Sequence, residues 1–360
     1  MTVTRTQSDS VRPRGATGRG SRFLSGGEAL FASAEERGIA KALDEGLDRV
    51  EQDLFDELHF TDDVADTAAR YLLDAGGKRV RPLLTLLTSQ WGEGVTDRVV
   101  IAAQVIELTH LATLYHDDVM DEAVQRRGVT AAQKVWSNSV AILAGDLLFA
   151  RAGSLGVGLG TEAMARQTEV FERLVVGQMR ETVGPKPDED PIGHYLEVLS
   201  DKTGSLIALA AEFGVTQSGA ASSLVPAVQG FGERIGIAFQ LVDDVIDLAV
   251  SDKDSGKLPG TDIRRGVTTL PMLLLEQRAE EFEEDKDLLE LLKRVPTGEV
   301  SNAEVDEAID SLRNHEVTTL TMARARSVAD DAISSLESVP DGVVKDALIR
   351  FAHQVVDRTA

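Results

Sequence analysis

Residues 107–128 read ELTHLATLYHDDVMDEAVQRRG, and residues 239–248 read FQLVDDVIDL. Each stretch places the pattern Asp-Asp-x-x-Asp inside an apolar helical sequence. On an α-helix, residues four apart share a face, so the first and last carboxylates of each motif point the same way. Three carboxylates within one turn repel each other, and the motifs therefore predict bound cations. The predicted metal ligands are Asp117, Asp118, Asp121, Asp243, Asp244 and Asp247.

The ligand chemistry of both motifs favours a hard cation. The chain contains no cysteine, so no thiolate can serve as a ligand. Mg²⁺ prefers oxygen ligands and usually takes one or two carboxylates together with phosphate oxygens of a substrate. The alternative is that each motif is only a solvated helix face, but the apolar residues on both sides argue against that. The motifs therefore predict a site for Mg²⁺ and a phosphorylated substrate.

Basic residues cluster around the first motif. The stretch GGKRVRP at 76–82 opens a helix, and a helix N-terminus with added basic side chains suits a diphosphate. A histidine seven residues before Asp117 shares its helical stripe, and two arginines follow the motif. A core histidine and ordinary surface arginines are the structural alternatives. The candidate residues are Lys78, Arg79, Arg81, His110, Arg126 and Arg127.

Polar residues accompany the second motif in the same way. Gln240 precedes Asp244 by one helical turn, and the pair Lys202-Thr203 begins another apolar helix. Lys257 lies in the polar stretch after the motif. Lys202 has an alternative role as the ion-pair partner of a nearby carboxylate. Together these residues describe a cavity with carboxylates on two walls and cations at its rim, which suits two diphosphates.

The spacing of apolar residues in the rest of the sequence predicts an all-α protein. Apolar residues recur at helical spacing from residue 28 onward, and no strand-like alternation persists. Residues 98–121 are apolar nearly all round, which is typical of a helix buried in a bundle. Residues 28–360 are predicted to form one helical domain. Its other helices are expected near 62–75, 82–91, 139–156, 161–182, 191–200, 203–219 and 224–250, with a long polar loop at 251–267.

Residues 1–27 differ from this domain. They contain five arginines and one aspartate, for a net charge of +4, together with many glycines, serines and threonines. Such a segment cannot bury enough apolar surface to fold, so it is predicted to be a disordered basic tail. An inert tail and an arm that contacts phospholipid are both open interpretations.

The composition of the 360-residue chain excludes several classes of protein. A net charge of −23 argues against nucleic acid as a partner, because a polyanion requires a basic surface. The absence of cysteine suits a reducing compartment. No uninterrupted apolar run has membrane-spanning length, and the N-terminus lacks an apolar signal core. These features predict a cytoplasmic location.

With these motifs, the chain resembles the trans-isoprenyl diphosphate (polyprenyl) synthases. The matching stretches are GGKRVRP at 76–82, ELTHLATLYHDDVMDEAVQRRG at 107–128, LAGDLLFARA at 143–152, DKTGSL at 201–206, FQLVDDVIDL at 239–248 and GKLPGTDIRRGVTTLP at 256–271. The resemblance implies a single large helical bundle around a central cavity, usually in a homodimer. It also implies Mg²⁺-dependent, head-to-tail condensation of isopentenyl diphosphate with an allylic prenyl diphosphate. A long-chain product would bring transient contact with a membrane.

The resemblance also assigns roles to the candidate residues. The six aspartates would bind about three Mg²⁺ ions at the allylic diphosphate. Arg126 and Lys257 would contact that diphosphate, and the catalytic residues at the same end would be Lys202, Thr203 and Gln240. Isopentenyl diphosphate would be held by Lys78, Arg81, His110 and Arg127, and Arg79 would be a further substrate-binding residue.

Product length is expected to depend on the cavity below the first motif. Thr113 lies one turn below Asp117, and Ala112 precedes it. Short-chain members of the family often have aromatic side chains at these two positions. Their absence predicts a product of C20 or longer, and replacing Ala112 with phenylalanine is expected to shorten it.

One position departs from the family pattern. Val267 occupies the place of a lysine that contacts the allylic diphosphate in many members, and Arg264 or Arg265 is the expected substitute. Two other functions are alternatives: a class I terpene cyclase or squalene-synthase-like enzyme, and a non-catalytic subunit of a heteromeric prenyl synthase. Cyclases do not need the GGKRVRP stretch, and non-catalytic subunits tend to lose aspartate motifs that are intact here.

Overall fold

The structure is a computed structural model that describes residues 33–249 and 258–358. In these ranges the chain is helical apart from one short hairpin, which confirms the all-α prediction. The helices are α1 (Ala34–Glu57), α2 (Asp63–Asp74), α3 (Val80–Thr88), α4 (Asp97–Met120), α5 (Ala132–Val135), α6 (Asn138–Val157), α7 (Thr161–Val183), α8 (Pro191–Leu199), α9 (Ser205–Gln217), α10 (Val225–Asp247), α11 (Thr261–Arg265), α12 (Leu270–Ala279), α13 (Glu283–Arg294), α14 (Asn302–Asn314), α15 (Glu316–Ser334) and α16 (Val343–Val356).

The observed helix boundaries follow local capping signals. Asp62 and Thr96 accept backbone N–H groups at the starts of α2 and α4, within one residue of the predicted boundaries. Two predicted elements differ. The helix expected from residue 203 begins with a π-helical turn, Ser200–Gly204, and only then continues as α9. Part of the expected loop at 251–267 forms the short helix α11, while residues 250–257 and the predicted tail at 1–27 lie outside the described residues.

The central helix of the bundle is α4. It packs against α3, α6 and α9, while α10 packs against α9 and α15. Polar side chains join the buried helices: Thr85 and Thr88 on α3 donate to carbonyl oxygens of α9, and the fully buried Tyr115 on α4 donates to Ala68 of α2 at 2.5 Å. Each buried hydroxyl therefore has a partner, as a well-packed core requires.

A second, smaller apolar cluster lies at the C-terminal end of α10. It joins Leu248 to side chains of α11–α15, including Ile263, Leu275 and Ile309. The helices that follow the second aspartate motif thus pack around the end of the helix that carries it.

A two-residue hairpin follows the first motif. Strand β1 (Gln125–Arg126) pairs antiparallel with β2 (Val129–Thr130). The intervening Arg127 and Gly128 have φ values of 53° and 78°, the positive-φ pair of a tight hairpin turn. A two-residue ladder is too short to produce a recognisable alternation in the sequence, and it leaves the all-α class unchanged. The hairpin returns Arg126 towards α4.

By length and composition, α4 and α6 could each cross a membrane. For α4 the apolar window is 78% buried in the bundle, so its hydrophobicity is that of a core helix. The corresponding window of α6 is only 33% buried. Its exposed apolar side chains therefore call for another explanation.

Candidate active site

The first aspartate motif occupies the last turn of α4. Asp118 is fully buried, and Arg126 Nε donates to its Oδ1 at 2.6 Å. Its other carboxylate oxygen is buried without a hydrogen-bond partner among the described residues. An orphaned buried carboxylate oxygen is costly, and it marks a place where a bound cation or water is expected.

Lys202 faces the first motif from the π-helical turn. Its Nζ lies 2.5 Å from Glu181 on α7, so Lys202 does pair with a carboxylate, while the carboxylates nearer in sequence, Asp201 and Glu197, contact Arg180. Burial raises the pKa of Asp117 to about 6, and the charge of Lys202 opposes that rise. π-helical turns are frequent at functional sites because they redirect side chains. Here the turn directs Lys202 towards Asp117.

A glycine on α7 permits this approach. A Cβ atom at Gly177 would lie 2.9 Å from both Asp201 Cβ and the Lys202 nitrogen. Any larger side chain would therefore push the π-helical turn away from α7. Gly177 is a residue of the site that the sequence motifs did not reveal.

The second motif lies at the end of α10, and protein donors hold its carboxylates. Tyr195 donates to Asp244 Oδ2 at 2.6 Å, and the Leu270 N–H donates to the same oxygen at 3.3 Å. Burial is the largest cause that raises the pKa of Asp244 to about 8. Asp247 accepts the Asp262 N–H at 3.0 Å. Sequence reasoning missed Tyr195, because an isolated tyrosine on α8 belongs to no recognisable motif.

Two charged residues couple the walls electrostatically. Glu181 raises the pKa of Asp117 on the first wall and that of Tyr195, the partner of Asp244, on the second. Burial raises the pKa of Asp118, and Arg265, which follows the second motif, opposes that rise. The two motifs therefore lie within electrostatic range of shared charged residues. Of the two candidate substitutes for the missing lysine, Arg265 acts on the site, whereas Arg264 bonds Asp306 at 2.5 Å.

A group of buried cations lies beside the first motif. Burial lowers the pKa of Arg81 to about 10, and the nearby Arg127 lowers it further while Glu107 opposes the change. Arg81 Nε is buried without a partner among the described residues. Burial and four arginines, Arg81 foremost, also hold the pKa of His110 well below its ordinary value. Buried cations with an orphaned donor favour an anionic ligand.

Arg79 differs from these cations. Its side chain is 6% exposed and contacts Glu51 at 2.6 Å and Glu107 at 2.8 Å. It is the N-cap residue of α3 and has a φ of 51°, in the left-handed region. This placement does not support the predicted role of Arg79 as a substrate ligand, because two carboxylates already engage its guanidinium. Arg79 is a scaffold residue that neutralises the buried Glu107.

Most of the remaining predicted site residues lie on or against the elements that carry the two motifs. Lys78 Nζ lies 5.8 Å from the ring centroid of Phe239, so the GGKRVRP stretch meets α10. Thr203 lies next to Lys202 in the π-helical turn, and Gln240 lies one turn before Asp244; both are partly exposed. Arg127 donates to backbone carbonyls of Leu72 and Gly76. Lys257 lies outside the described residues.

An apolar cavity of about 340 Å³ lies beside Asp117. Thr113 lines it, whereas Ala112 is fully buried and is not among the lining residues. Phe149 from α6 and Phe171 from α7 line it together, with ring centroids 4.5 Å apart, and the His116 ring lies 5.5 Å from Phe149. The aromatic side chains missing from positions 112 and 113 are therefore supplied by two other helices.

The donor set suits a metal that shares its ligands with a substrate. Among the described residues, no group of three or more His, Asp or Glu side chains is already arranged around a metal position. Mg²⁺ commonly uses one or two carboxylates and completes its shell with phosphate oxygens and water. The orphaned oxygen of Asp118 and the elevated pKa of Asp117 show carboxylates that lack sufficient positive charge. The residues therefore fit such an ion.

Comparisons with known proteins identify the family of the chain. A sequence model described as polyprenyl synthetase matches residues 62–312. The chain is 43% identical over 337 residues to the nonaprenyl diphosphate synthase of Mycobacterium tuberculosis, covering 92% of this chain and 96% of that protein. Over 306 residues it is 32% identical to heptaprenyl diphosphate synthase component 2 of Geobacillus stearothermophilus, covering 81% of this chain and 92% of that protein.

The fold is also similar to that of solved prenyl synthases. A crystal structure of geranylgeranyl pyrophosphate synthase from Corynebacterium glutamicum, complexed with calcium and isoprenyl diphosphate, superposes with a TM-score of 0.77 at 40% identity, covering 91% of this chain and 98% of that one. The bundle, the facing aspartate motifs and the family match all lead to one assignment. The chain belongs to the polyprenyl synthetase family, the trans-isoprenyl diphosphate synthases.

Proposed function

We propose that this protein is a Mg²⁺-dependent polyprenyl diphosphate synthase, which condenses isopentenyl diphosphate with an allylic prenyl diphosphate to a product of C20 or longer. The observation that carries the proposal is the pairing of two carboxylate walls, coupled through Glu181 and Arg265, with a buried cation group and an adjacent apolar cavity. A reaction that joins two diphosphate substrates and lengthens an apolar prenyl chain would use all three features.

Mg²⁺ at the aspartate motifs would neutralise the charge that develops on the departing diphosphate. The proposed ligands are Asp117, Asp118 and Asp121 on one wall and Asp243, Asp244 and Asp247 on the other. Arg126, Lys202 and Arg265 add positive charge at the same end. Because these groups are fixed before reaction, they stabilise the leaving group without reorganisation. Departure leaves an allylic carbocation, which the dipoles of Thr203 and Gln240 would stabilise.

The second substrate is proposed to bind at the buried cation group. Arg81, Arg127, His110 and Lys78 would hold the diphosphate of isopentenyl diphosphate, so that its terminal double bond lies close to the carbocation. Holding both reactants makes the encounter effectively intramolecular. No described side chain is an evident general base at the reacting carbon, and the released diphosphate is proposed to accept the proton. The apolar lining of the cavity disfavours water, which would quench the cation.

Product length is proposed to depend on the aromatic pair in the cavity. Thr113 leaves space directly below Asp117, and Phe149 and Phe171 then restrict it. The Thr113→Phe variant is expected to shorten the main product, because the larger ring fills the space near the diphosphate. Phe171→Ala is expected to lengthen it by at least one isoprene unit. Mass spectrometry of the products measures both shifts.

A matched control for this prediction is Phe282→Ala. Phe282 is an aromatic residue on the surface, packed against Arg278 and far in sequence from the cavity helices. The Phe282→Ala variant should leave the product distribution unchanged. A Phe171→Ala enzyme that retains the wild-type product distribution contradicts this account of chain length, although it leaves the reaction itself intact.

The protein is further proposed to act as a homodimer through an apolar surface formed by α6 and α7. Leu143 and Met179 are 61% and 62% exposed on this surface, and Ile142 and Val175 are also exposed. Ile142, Val175 and Met179 also line the cavity, so a second copy on this surface would close its open side. Exposed apolar patches of this kind mark association sites. The same surface explains why α6 is so apolar and yet so little buried.

Leu143→Glu is expected to convert the dimer to a monomer, because it places a charge in the middle of the apolar surface. Light scattering after size-exclusion chromatography measures the mass. Leu320→Glu, at a leucine of α15 that is 43% exposed, should leave the dimer intact. A Leu143→Glu protein that remains dimeric shows that the interface lies elsewhere.

The cellular context is proposed from the same features. A cytoplasmic location suits a cysteine-free protein with both diphosphate sites in a helical bundle. A product of C20 or longer is apolar along most of its length, so its release would bring transient contact with a membrane.

A further inference from the structure

Arg358 lies beyond the last helix and contacts the face of α10 that carries the second aspartate motif. Its Nη1 is 3.1 Å from Asp243 Oδ1, and its Nη2 donates to the carbonyl oxygen of Phe239 at 3.1 Å. Its Nε donates to the carbonyl oxygen of Val355, also at 3.1 Å. Every nitrogen of the guanidinium group therefore has an acceptor, and the side chain is only 13% exposed.

The guanidinium also stacks on an aromatic ring. Its central carbon lies 3.8 Å from the ring centroid of Phe239, the same ring that Lys78 approaches. Three hydrogen bonds and a stacked ring fix an arginine far more firmly than a single surface ion pair does. The contact between Arg358 and Asp243 is therefore part of the architecture of the second wall.

The positive charge of Arg358 distinguishes Asp243 from Asp244. The donors to Asp244 are the hydroxyl of Tyr195 and the N–H of Leu270, which are neutral and leave the carboxylate able to attract a cation. Arg358, which contacts Asp243, is itself a cation. A divalent ion on Asp243 would lie close to the guanidinium, and two positive charges at that distance repel each other. Asp243 can therefore bind Arg358 or a metal ion, and binding both at once would cost the repulsion between the two cations.

We propose that Arg358 is a positioning residue that acts as the counter-ion of Asp243 in the metal-free enzyme and competes with Mg²⁺ for it. Binding of Mg²⁺ and diphosphate exchanges one cationic partner of Asp243 for another. Arg358 thereby sets the Mg²⁺ concentration at which the second wall becomes occupied. This inference rests on the proposed Mg²⁺-dependent function.

The test measures metal binding without turnover. Thermal unfolding is followed while Mg²⁺ is titrated into protein saturated with inorganic pyrophosphate, and the midpoint of the rise in Tm is recorded. Arg358→Gln is expected to lower the Mg²⁺ midpoint by about fivefold, since it removes the competing ion pair. Arg350→Gln is the matched control, because Arg350 lies on α16 and pairs with Glu36 at 3.6 Å, and its midpoint should equal that of the wild type.

A double-mutant cycle shows whether the effect passes through Asp243. In an Asp243→Asn background, Arg358→Gln should produce no further shift. An Arg358→Gln midpoint that is unchanged or raised overturns the proposal, and so does an equal shift in the Asp243→Asn background. If Arg358→Gln does not fold, Arg358→Lys must show a smaller decrease in the midpoint for the proposal to stand.

The outcomes separate this inference from the proposed function. Wild-type protein that Mg²⁺ and pyrophosphate fail to stabilise contradicts the metal site itself. Wild-type protein that is stabilised, with no lower midpoint in the Arg358 variants, contradicts only the counter-ion role.

Discussion

Asp117→Asn is expected to lower kcat by about 10³-fold without destabilising the fold. Burial raises the pKa of Asp117 to about 6, so its charge is costly in the metal-free protein. A neutral amide removes that cost, and the Tm without metal should stay constant or rise. The same change removes a carboxylate that is proposed to bind Mg²⁺ at the departing diphosphate. Steady-state kinetics and thermal unfolding measure the two effects separately.

The control for this variant is Asp97→Asn at the other end of the same helix. Asp97 has a side chain that is 84% exposed and pairs with Arg49 at 2.7 Å. Such surface pairs contribute about 1 kcal/mol or less, so both kcat and Tm should remain close to wild type. If Asp117→Asn loses activity only because it unfolds, or if it retains near-normal kcat, the proposed role of the first motif is wrong.

Arg81→Gln is expected to weaken substrate binding and Arg79→Gln to lower stability, although the two residues are nearly adjacent. Arg81 is proposed to hold isopentenyl diphosphate, and a hydrogen bond between charged groups contributes about 1.5–3 kcal/mol. The KM for isopentenyl diphosphate should therefore rise about 10- to 100-fold in Arg81→Gln. The KM for the allylic substrate should be unchanged.

In Arg79→Gln, stability rather than substrate binding should change. The variant removes the 2.8 Å partner of Glu107, which is 2% exposed, and leaves that buried carboxylate poorly compensated. The free energy of unfolding should fall by about 3 kcal/mol. The KM values of the folded enzyme should remain normal. An Arg79→Gln enzyme with wild-type stability and a raised KM for isopentenyl diphosphate would show that the structural distinction between the two arginines is wrong.

The helical architecture follows closely from the sequence, because it depends on local periodicity. The helix predicted at 98–121 is Asp97–Met120, and the one predicted at 139–156 is Asn138–Val157. The exceptions are short features. The π-helical turn at Ser200–Gly204 and the hairpin after Asp121 depend on tertiary packing and on a two-residue turn, and neither produces a repeating pattern.

The site is less predictable from sequence than the fold. A motif identifies residue types, but not the direction in which a side chain points, so GGKRVRP could not separate Arg79 from Arg81. Contacts between distant segments leave no local signal either. Arg358 is 115 positions from Asp243, and Phe149 and Phe171 restrict the cavity from helices other than α4. Only the packing of the bundle brings these residues together.

The most direct test of the whole account is product analysis by mass spectrometry. Purified protein is incubated with Mg²⁺, radiolabelled isopentenyl diphosphate and allylic diphosphates of several lengths, with and without a chelator. We expect prenyl diphosphates of C20 or longer that carry the label, and complete loss of product when the metal is removed. Failure to incorporate the label, or formation of a cyclised hydrocarbon from the allylic diphosphate alone, would contradict it.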